Sequence, residues 1–318
     1  MTNPLGFRYK VDFFNTLFEI GMLISKRTSD RLEIDAPAKI NLFLEVLGKR
    51  HDGYHDIYSL IQAVSLYDRL AFEVIDTAEV NIETAGNIDL TTGSDNLIAR
   101  AYHLVRHRFG LKRGFKVRLE KNIPVAAGLG GGSSDGAAAI LACNLLFDLQ
   151  LTRIQMSELS LVIGSDLPFF FSSGQALVKG RGEVISEITL PTDYEIILVV
   201  PDLPISTAES YAALKRDLTK KKVNFNFHGY GKLDGLIRAL RMSGNDFERV
   251  HLETYPVLNR IRDVLLDNGA ILARMSGSGS AMFGVFYETP ETGKGSILNR
   301  GCWQLCKVKP ITWPDEAP

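Results

Sequence analysis

The sequence predicts an α+β protein built as two lobes that meet near Leu190. Three observations carry this. Up to Leu190, stretches of strand-like apolar alternation flank helical segments in a βαβ order. Beyond it, the composition shifts to a lysine- and asparagine-rich stretch, Thr219 to Lys232, followed by helical periodicity and two short apolar strands. No internal repeat relates the halves, and 318 residues suit one large or two ordinary domains of roughly 100–200 residues each. The chain divides into an extension of unassigned role at 1–31, a first domain at 32–190 and a second at 191–318.

In the extension, Thr16 to Ser25 is mostly apolar, but Asp12, Glu19 and Asp30 argue against a targeting peptide, and Met22 reads as an alternative initiator. Leu32 to Leu47 reads as one or two strands broken at Pro37. Alternation places Ile40, Leu42, Leu44 and Val46 on one face, and Lys39, Asn41, Phe43 and Glu45 on the other. The run HDGYH, His51 to His55, is a turn. Ile57 to Leu70 continues as strand, and Leu70 to Ile75 with Val80 to Glu83 patterns as a hairpin. Asp95 or Asn96 caps a helix that runs to about Phe109. Phe115, Val117 and Leu119 then alternate with Lys116, Arg118 and Glu120 in a half-buried strand.

A further helix covers Met156 to Val162. Strands at Gln175 to Val178 and Glu183 to Ile188 flank the turn Gly180 to Gly182, and Tyr194 to Val200 is a short apolar strand. Asp246 to Asn268 is helical with a break near Pro256, and Gly269 stops it. Strands at Ile271 to Met275 and Ala281 to Tyr287 flank SGSGS, and Ser296 to Cys306 supplies a last helix and strand.

The strand Phe115 to Lys121 leads into PVAAGLGGGSSDGAAAI, Pro124 to Ile140. Gly128, Gly130, Gly131 and Gly132 lie within five positions, and Ser133 and Ser134 follow at what reads as a capped helix start with Asp135 in its first turn. Glycines let a ligand approach the backbone, and the helix start offers unpaired N–H groups with a positive dipole end. That combination favours an anion, most often phosphate. A dinucleotide fingerprint fails by spacing, because the third glycine position is Ser133 or Asp135. A Walker loop fails because no Gly-Lys pair is followed by Ser or Thr.

Composition narrows the partners. A net charge of -1 excludes bulk attraction to nucleic acid or an anionic membrane. No apolar run reaches the ~18 residues of a membrane span. Cys143, Cys302 and Cys306 read as reduced thiols of a cytoplasmic protein, and the histidines lack metal-ligand spacing.

Three separated strings, APAKINLFL from Ala36, PVAAGLGGGSSDGAAA from Pro124 and MSGSGSAMFG from Met275, together resemble the GHMP small-molecule kinases, the family of galactokinase, homoserine kinase, mevalonate kinase and phosphomevalonate kinase. The strings DGYH (Asp52 to His55), DNLI (Asp95 to Ile98) and GSDLPFF (Gly164 to Phe170) are similar to those of the members that act on CDP-methylerythritol. The resemblance spans about Asp35 to Phe286. Gly136 departs from it, since alanine is more usual there; a helical glycine costs up to ~1 kcal/mol relative to alanine.

The resemblance implies a first lobe like ribosomal protein S5 domain 2 that binds ATP, and a ferredoxin-like second lobe. ATP is the implied co-substrate, Mg²⁺ arrives mainly with ATP and no metal is held by the protein alone. The implied acceptor is CDP-methylerythritol, with homoserine or mevalonate as the alternative, in a cytoplasmic monomer or homodimer. Residue by residue, Lys39 and Asp166 match the catalytic pair. Asn96, Lys121, Pro124, Gly128, Leu129, Gly130, Gly131, Gly132, Ser133 and Ser134 match ATP contacts. Asn41, Tyr54, His55 and Tyr211 match substrate contacts, Tyr54 and Tyr211 as an aromatic sandwich for the cytosine. Read without the resemblance, Asp166 is equally a turn or cap aspartate, and the two tyrosines are core aromatics.

Overall fold

Two very long strands organise the first lobe. In the computed structural model, which describes residues 22–85, 95–214, 230–290 and 303–313, a short β1 (Leu23–Arg27) leads into β2 (Arg31–Lys49) and β3 (His55–Ile75). These pair antiparallel over nearly their whole length. Then follow β4 (Val80–Ala85), α1 (Leu97–Phe109), β5 (Gly114–Glu120), α2 (Gly131–Leu146), α3 (Arg153–Ser160), a 3-10 helix (Leu167–Phe171), β6 (Gln175–Gly180) and β7 (Val184–Glu187). The sheet order is β1-β2-β3-β5-β4 at one end of β3, while the other end of β3 carries β6 and β7.

The second lobe comprises β8 (Glu195–Pro201), α4 (Thr207–Ala213), α5 (Leu233–Arg241), α6 (Asp246–Thr254), α7 (Pro256–Asp267), β9 (Leu272–Met275), β10 (Met282–Phe286) and β11 (Trp303–Val308). Its antiparallel sheet has the order β11-β8-β10-β9. Among the described residues no helix is long and apolar enough to cross a membrane.

Several expectations change. The strand does not break at Pro37: β2 runs through it, with a register shift between Pro37 and Ala38 that accommodates a residue lacking an N–H. A second shift between Asn41 and Phe43 leaves Leu42 as an extra residue. This bulge overturns the predicted faces. Phe43 joins Ile40 and Leu42 in one core, while Leu44 and Val46 enter the other. Residues 36 to 44 are all buried, because both faces of β2 are covered.

The hairpin between Leu70–Ile75 and Val80–Glu83 does not form. Strand β5 inserts beside β3, and β4 pairs parallel with β5. Part of the expected extension belongs to the first lobe: Met22 is buried and β1 pairs antiparallel with β2. The remainder of that extension, residues 1–21, lies outside the described residues. So do residues 219–229 of the lysine-rich stretch and residues 296–302 of the predicted last helix, with Cys302; the last strand is β11. Helix α5 was not anticipated, although Leu233, Leu236, Ile237 and Leu240 give it a clear amphipathic stripe.

Helix α2 is the buried axis of the first lobe. Its residues from Ser134 to Asn144 are all buried, and its alanines permit close approach on every side. Gly136 follows this logic. A Cβ there would lie 3.1 Å from Leu167 Cδ2, 3.2 Å from Leu97 Cβ and 3.3 Å from Leu97 O, so α1 and the 3-10 helix occupy the space an alanine would need.

Buried polar contacts join the lobes. Arg274 of β9 donates to the Leu42 carbonyl at 2.7 Å, and the Ser276 hydroxyl accepts from the Asn41 N–H at 3.3 Å. Asp246 at the start of α6 accepts from the Val46 N–H at 2.8 Å. A buried amide without a partner costs about 1–3 kcal/mol. These bonds therefore fix how the second lobe seats on β2, and the cleft lies along that seam.

Candidate active site

The cleft has a volume of about 840 Å³ and is walled by β2, the HDGYH turn, the glycine loop, the segment ending at Asp166, α4 and the Gly277–Ser278 turn. Every residue predicted for the site lines it except Ser134.

The glycine loop takes its path from chemistry that only glycine tolerates. Gly128 and Gly130 have φ of 78° and 73°. A Cβ on Gly128 would sit 2.2 Å from the Ser276 carbonyl oxygen, and one on Gly130 would sit 2.9 Å from Lys39 Cγ. The loop thus presses against both lobes. Its Leu129 carbonyl accepts from the Lys39 N–H at 2.9 Å. Gly130 is the cap of α2, one turn earlier than the predicted serine cap, and no side chain caps it. The first-turn N–H groups of α2 are therefore not closed by a side-chain cap. Ser133 faces the cleft lining, whereas Ser134 is fully buried and its hydroxyl has no partner.

Lys39 is buried at the floor of the cleft. Its Nζ donates to Asn41 Oδ1 at 2.6 Å and to the Gly128 carbonyl at 2.9 Å, and lies 3.8 Å from Asp166 Oδ2. Burial pushes its pKa down, and attraction to Asp166 opposes this. Asn41 is held in turn by the Ser59 hydroxyl, at 2.8 Å. Asp166 precedes the 3-10 helix but makes no side-chain cap bond, so the cap reading has no support in the geometry. Its carboxylate is 47 % exposed and opens toward the cleft.

Lys121 behaves differently. It stands between two buried carboxylates, Asp68 and Asp135, the latter at 2.8 Å. Asp68 also accepts from the N–H groups of Asn122 and Ile123, at 2.7 and 2.8 Å. Lys121, expected at an ATP contact, lines the cleft but has its ammonium engaged by Asp68 and Asp135. One lysine neutralises one carboxylate of the two, and burial, with repulsion from Asp68 against attraction to Lys121, pushes Asp135 up to about 8. The pairing of Asp68 and Asp135 with Lys121 is not legible in the sequence, because they lie 53 and 14 residues from it. Asn96 caps α1 by accepting from the Ile98 N–H at 2.9 Å, besides lining the cleft.

An aromatic corner closes the far end. The His55 and Tyr211 rings stack at 4.6 Å with planes 17° apart, and Phe247 meets Tyr211 edge-on at 4.8 Å. Tyr54 is 51 % exposed, with the Arg181 guanidinium 5.1 Å from its ring centre. The expected Tyr54–Tyr211 sandwich is thus modified: one face of Tyr211 is covered by His55. Burial pushes the Tyr211 hydroxyl up to about 12, with Asp166 adding to the shift, and burial lowers His55.

Comparison with known proteins agrees with this layout. Residues 96–174 match the GHMP kinases N terminal domain and residues 221–296 match GHMP kinases C terminal. A Syntrophotalea carbinolica protein named 4-diphosphocytidyl-2-C-methyl-D-erythritol kinase is 38% identical over 279 residues, covering 87% of this chain and 98% of the relative. A crystal structure of 4-(cytidine 5'-diphospho)-2C-methyl-D-erythritol kinase superposes with a TM-score of 0.66 at 30% identity, covering 87% of this chain and 99% of that one. A homoserine kinase from Cytophaga hutchinsonii reaches a TM-score of 0.67 at 17% identity, covering 92% of this chain and 98% of that one; at that identity it shares the fold alone. With nearly the whole length of its relatives matched and both lobes accounted for, the chain belongs to the 4-diphosphocytidyl-2-C-methyl-D-erythritol kinase family of GHMP kinases.

Proposed function

We infer that the protein transfers the γ-phosphoryl group of ATP to the 2-hydroxyl of 4-diphosphocytidyl-2-C-methyl-D-erythritol, giving the 2-phosphate and ADP, in non-mevalonate isoprenoid precursor synthesis. The observation that carries the chemistry is the Lys39–Asp166 pair, 3.8 Å apart at the mouth of a glycine loop. Phosphoryl transfer asks for positioning and charge neutralisation more than covalent chemistry. The acceptor oxygen forms a bond to the γ-phosphorus as the bond from phosphorus to the bridging oxygen breaks. The hydroxyl proton passes to Asp166, whose exposed carboxylate is reachable from the cleft. Lys39 faces Asp166 at 3.8 Å and offsets negative charge on the reacting oxygens. Asn41 and the Gly128 carbonyl keep its ammonium on this line.

The first-turn N–H groups of α2 and the loop Gly128 to Ser133 receive the ATP phosphates. Mg²⁺ arriving with ATP would supply neutralisation of the phosphate charge. Among the described residues there is no group of three or more His, Cys, Asp or Glu that could hold a metal ion. The Ser133 hydroxyl is the side chain of the loop best placed to add a ligand, since Ser134 is buried away from the lining. Tyr54 offers the cytosine a stacking face, and His55, steadied by Tyr211, offers a ring nitrogen to its edge.

The test is ADP release with a panel of alcohols. Turnover is expected with CDP-methylerythritol and not with homoserine or mevalonate. ATP consumption with either of those, but not with CDP-methylerythritol, would refute the substrate assignment.

A further inference from the structure

We propose that Arg181 recognises the diphosphate of the acceptor and so makes the enzyme prefer a nucleotide-linked alcohol to a bare one. This rests on the substrate reading above. Lys39, Lys121 and Arg181 are the lysine and arginine side chains of the cleft lining. Lys39 is engaged by Asn41, Gly128 and Asp166, and Lys121 by Asp68 and Asp135. Around Arg181 the carboxylates are already taken by a different arginine: Arg50 reaches Asp52 at 3.1 Å, Asp56 at 2.8 Å and Glu183 at 3.9 Å. Among the described residues the Arg181 guanidinium forms no ion pair; its contact is the Tyr54 ring, with Asp52 acting on it at longer range. Its positive charge therefore faces the cleft without a close counter-ion.

The turn that carries Arg181 is fixed at both sides. Glu183 accepts from the Arg181 N–H at 2.6 Å. Gly182, at φ 128°, lies so close to Ser165 that a Cβ would be 2.6 Å from its carbonyl oxygen. Arg181 thus stands between the aromatic corner, which it touches at Tyr54, and Asp166, the residue after Ser165. A cytidine-diphosphate alcohol has its base at one end, the reacting hydroxyl at the other and two anionic phosphates between. A planar guanidinium presents paired donors that match phosphate oxygens, and here it lines the cleft beside Tyr54 on a turn packed against Ser165, the neighbour of Asp166.

The test compares wild type, Arg181→Ala and Arg181→Lys by steady-state kinetics, with CDP and cytidine as competitive inhibitors. In Arg181→Ala the KM for CDP-methylerythritol should rise about 10- to 100-fold, as expected for loss of a charged hydrogen bond, with kcat and the KM for ATP within about twofold. Inhibition by CDP should weaken by a similar factor, while cytidine changes by less than about threefold, and Arg181→Lys should fall between. An unchanged acceptor KM would overturn the proposal. So would a raised KM for ATP alone, which would assign Arg181 to the ATP phosphates, or equal weakening of CDP and cytidine, which would reduce it to a support for Tyr54. Failure of wild type to turn over CDP-methylerythritol would overturn the substrate reading and this inference together, and is seen before any variant is made.

Discussion

Lys39 and Lys121 line the same cleft and are both nearly inaccessible, yet they stand in opposite electrostatic states. Lys121 is closed between two buried carboxylates, and their attraction outweighs burial and raises its pKa. Lys39 is hydrogen-bonded to neutral oxygens, with its one carboxylate at 3.8 Å and half exposed; burial wins and its pKa falls. The difference separates a structural ion cluster from a poised one. Asp68 and Asp135 leave Lys121 no capacity for a transient charge, whereas Lys39, in the proposed mechanism, responds to charge that develops beside Asp166. A lysine in a cleft is thus informative only once its counter-ions are counted.

Substitutions at the two lysines should break along this line. The largest effect is expected on turnover. Asp166→Asn should lower kcat by about 10²–10⁴-fold with ATP binding retained. Lys39→Met should lower it by about 10²–10³-fold while leaving the melting temperature near that of wild type, since the charge it removes is already disfavoured by burial. An active Asp166→Asn enzyme would remove that residue from the mechanism. Lys121→Met should do the reverse. It leaves the buried Asp68–Asp135 pair without its cation, which costs about 3–5 kcal/mol and should appear in denaturant or thermal unfolding. Equal melting temperatures for the two lysine variants would erase the distinction.

Burial, with repulsion from Asp68, pushes Asp135 up to about 8 from an ordinary 3.8, so the folded state holds the extra proton between those values. Its contribution to stability is complete below the lower value and is lost as pH rises through the upper one. Wild type should therefore lose stability relative to Asp135→Asn between about pH 4 and pH 8, measured as the difference in melting temperature across that range. A difference independent of pH would show that Asp135 is ionised throughout. The smallest effect belongs to Asn96→Ala. It removes the cap bond to Ile98 and should cost about 1 kcal/mol, with a modest rise in the KM for ATP if α1 frays beside the loop.

Much of this protein was legible locally. The helix cap at Asn96, the break at Pro256, the alternating strand before the loop and the bends at Gly128 and Gly130 each depend on the chemistry of a few adjacent residues. A cap, a missing N–H or a positive φ acts over one turn, so the chain by itself determined those features, and with them an anion-binding loop in the first of two lobes. Tertiary structure decided the rest. The bulge at Leu42 moves Phe43 into a different core, β5 separates β4 from β3, Lys121 meets Asp68 from 53 residues away and Arg181 forms no ion pair among the described residues while Arg50 pairs with Asp52 and Asp56. Register, strand order and ion pairing depend on which distant segments cover each face, and no window of local sequence contains both partners of such a contact.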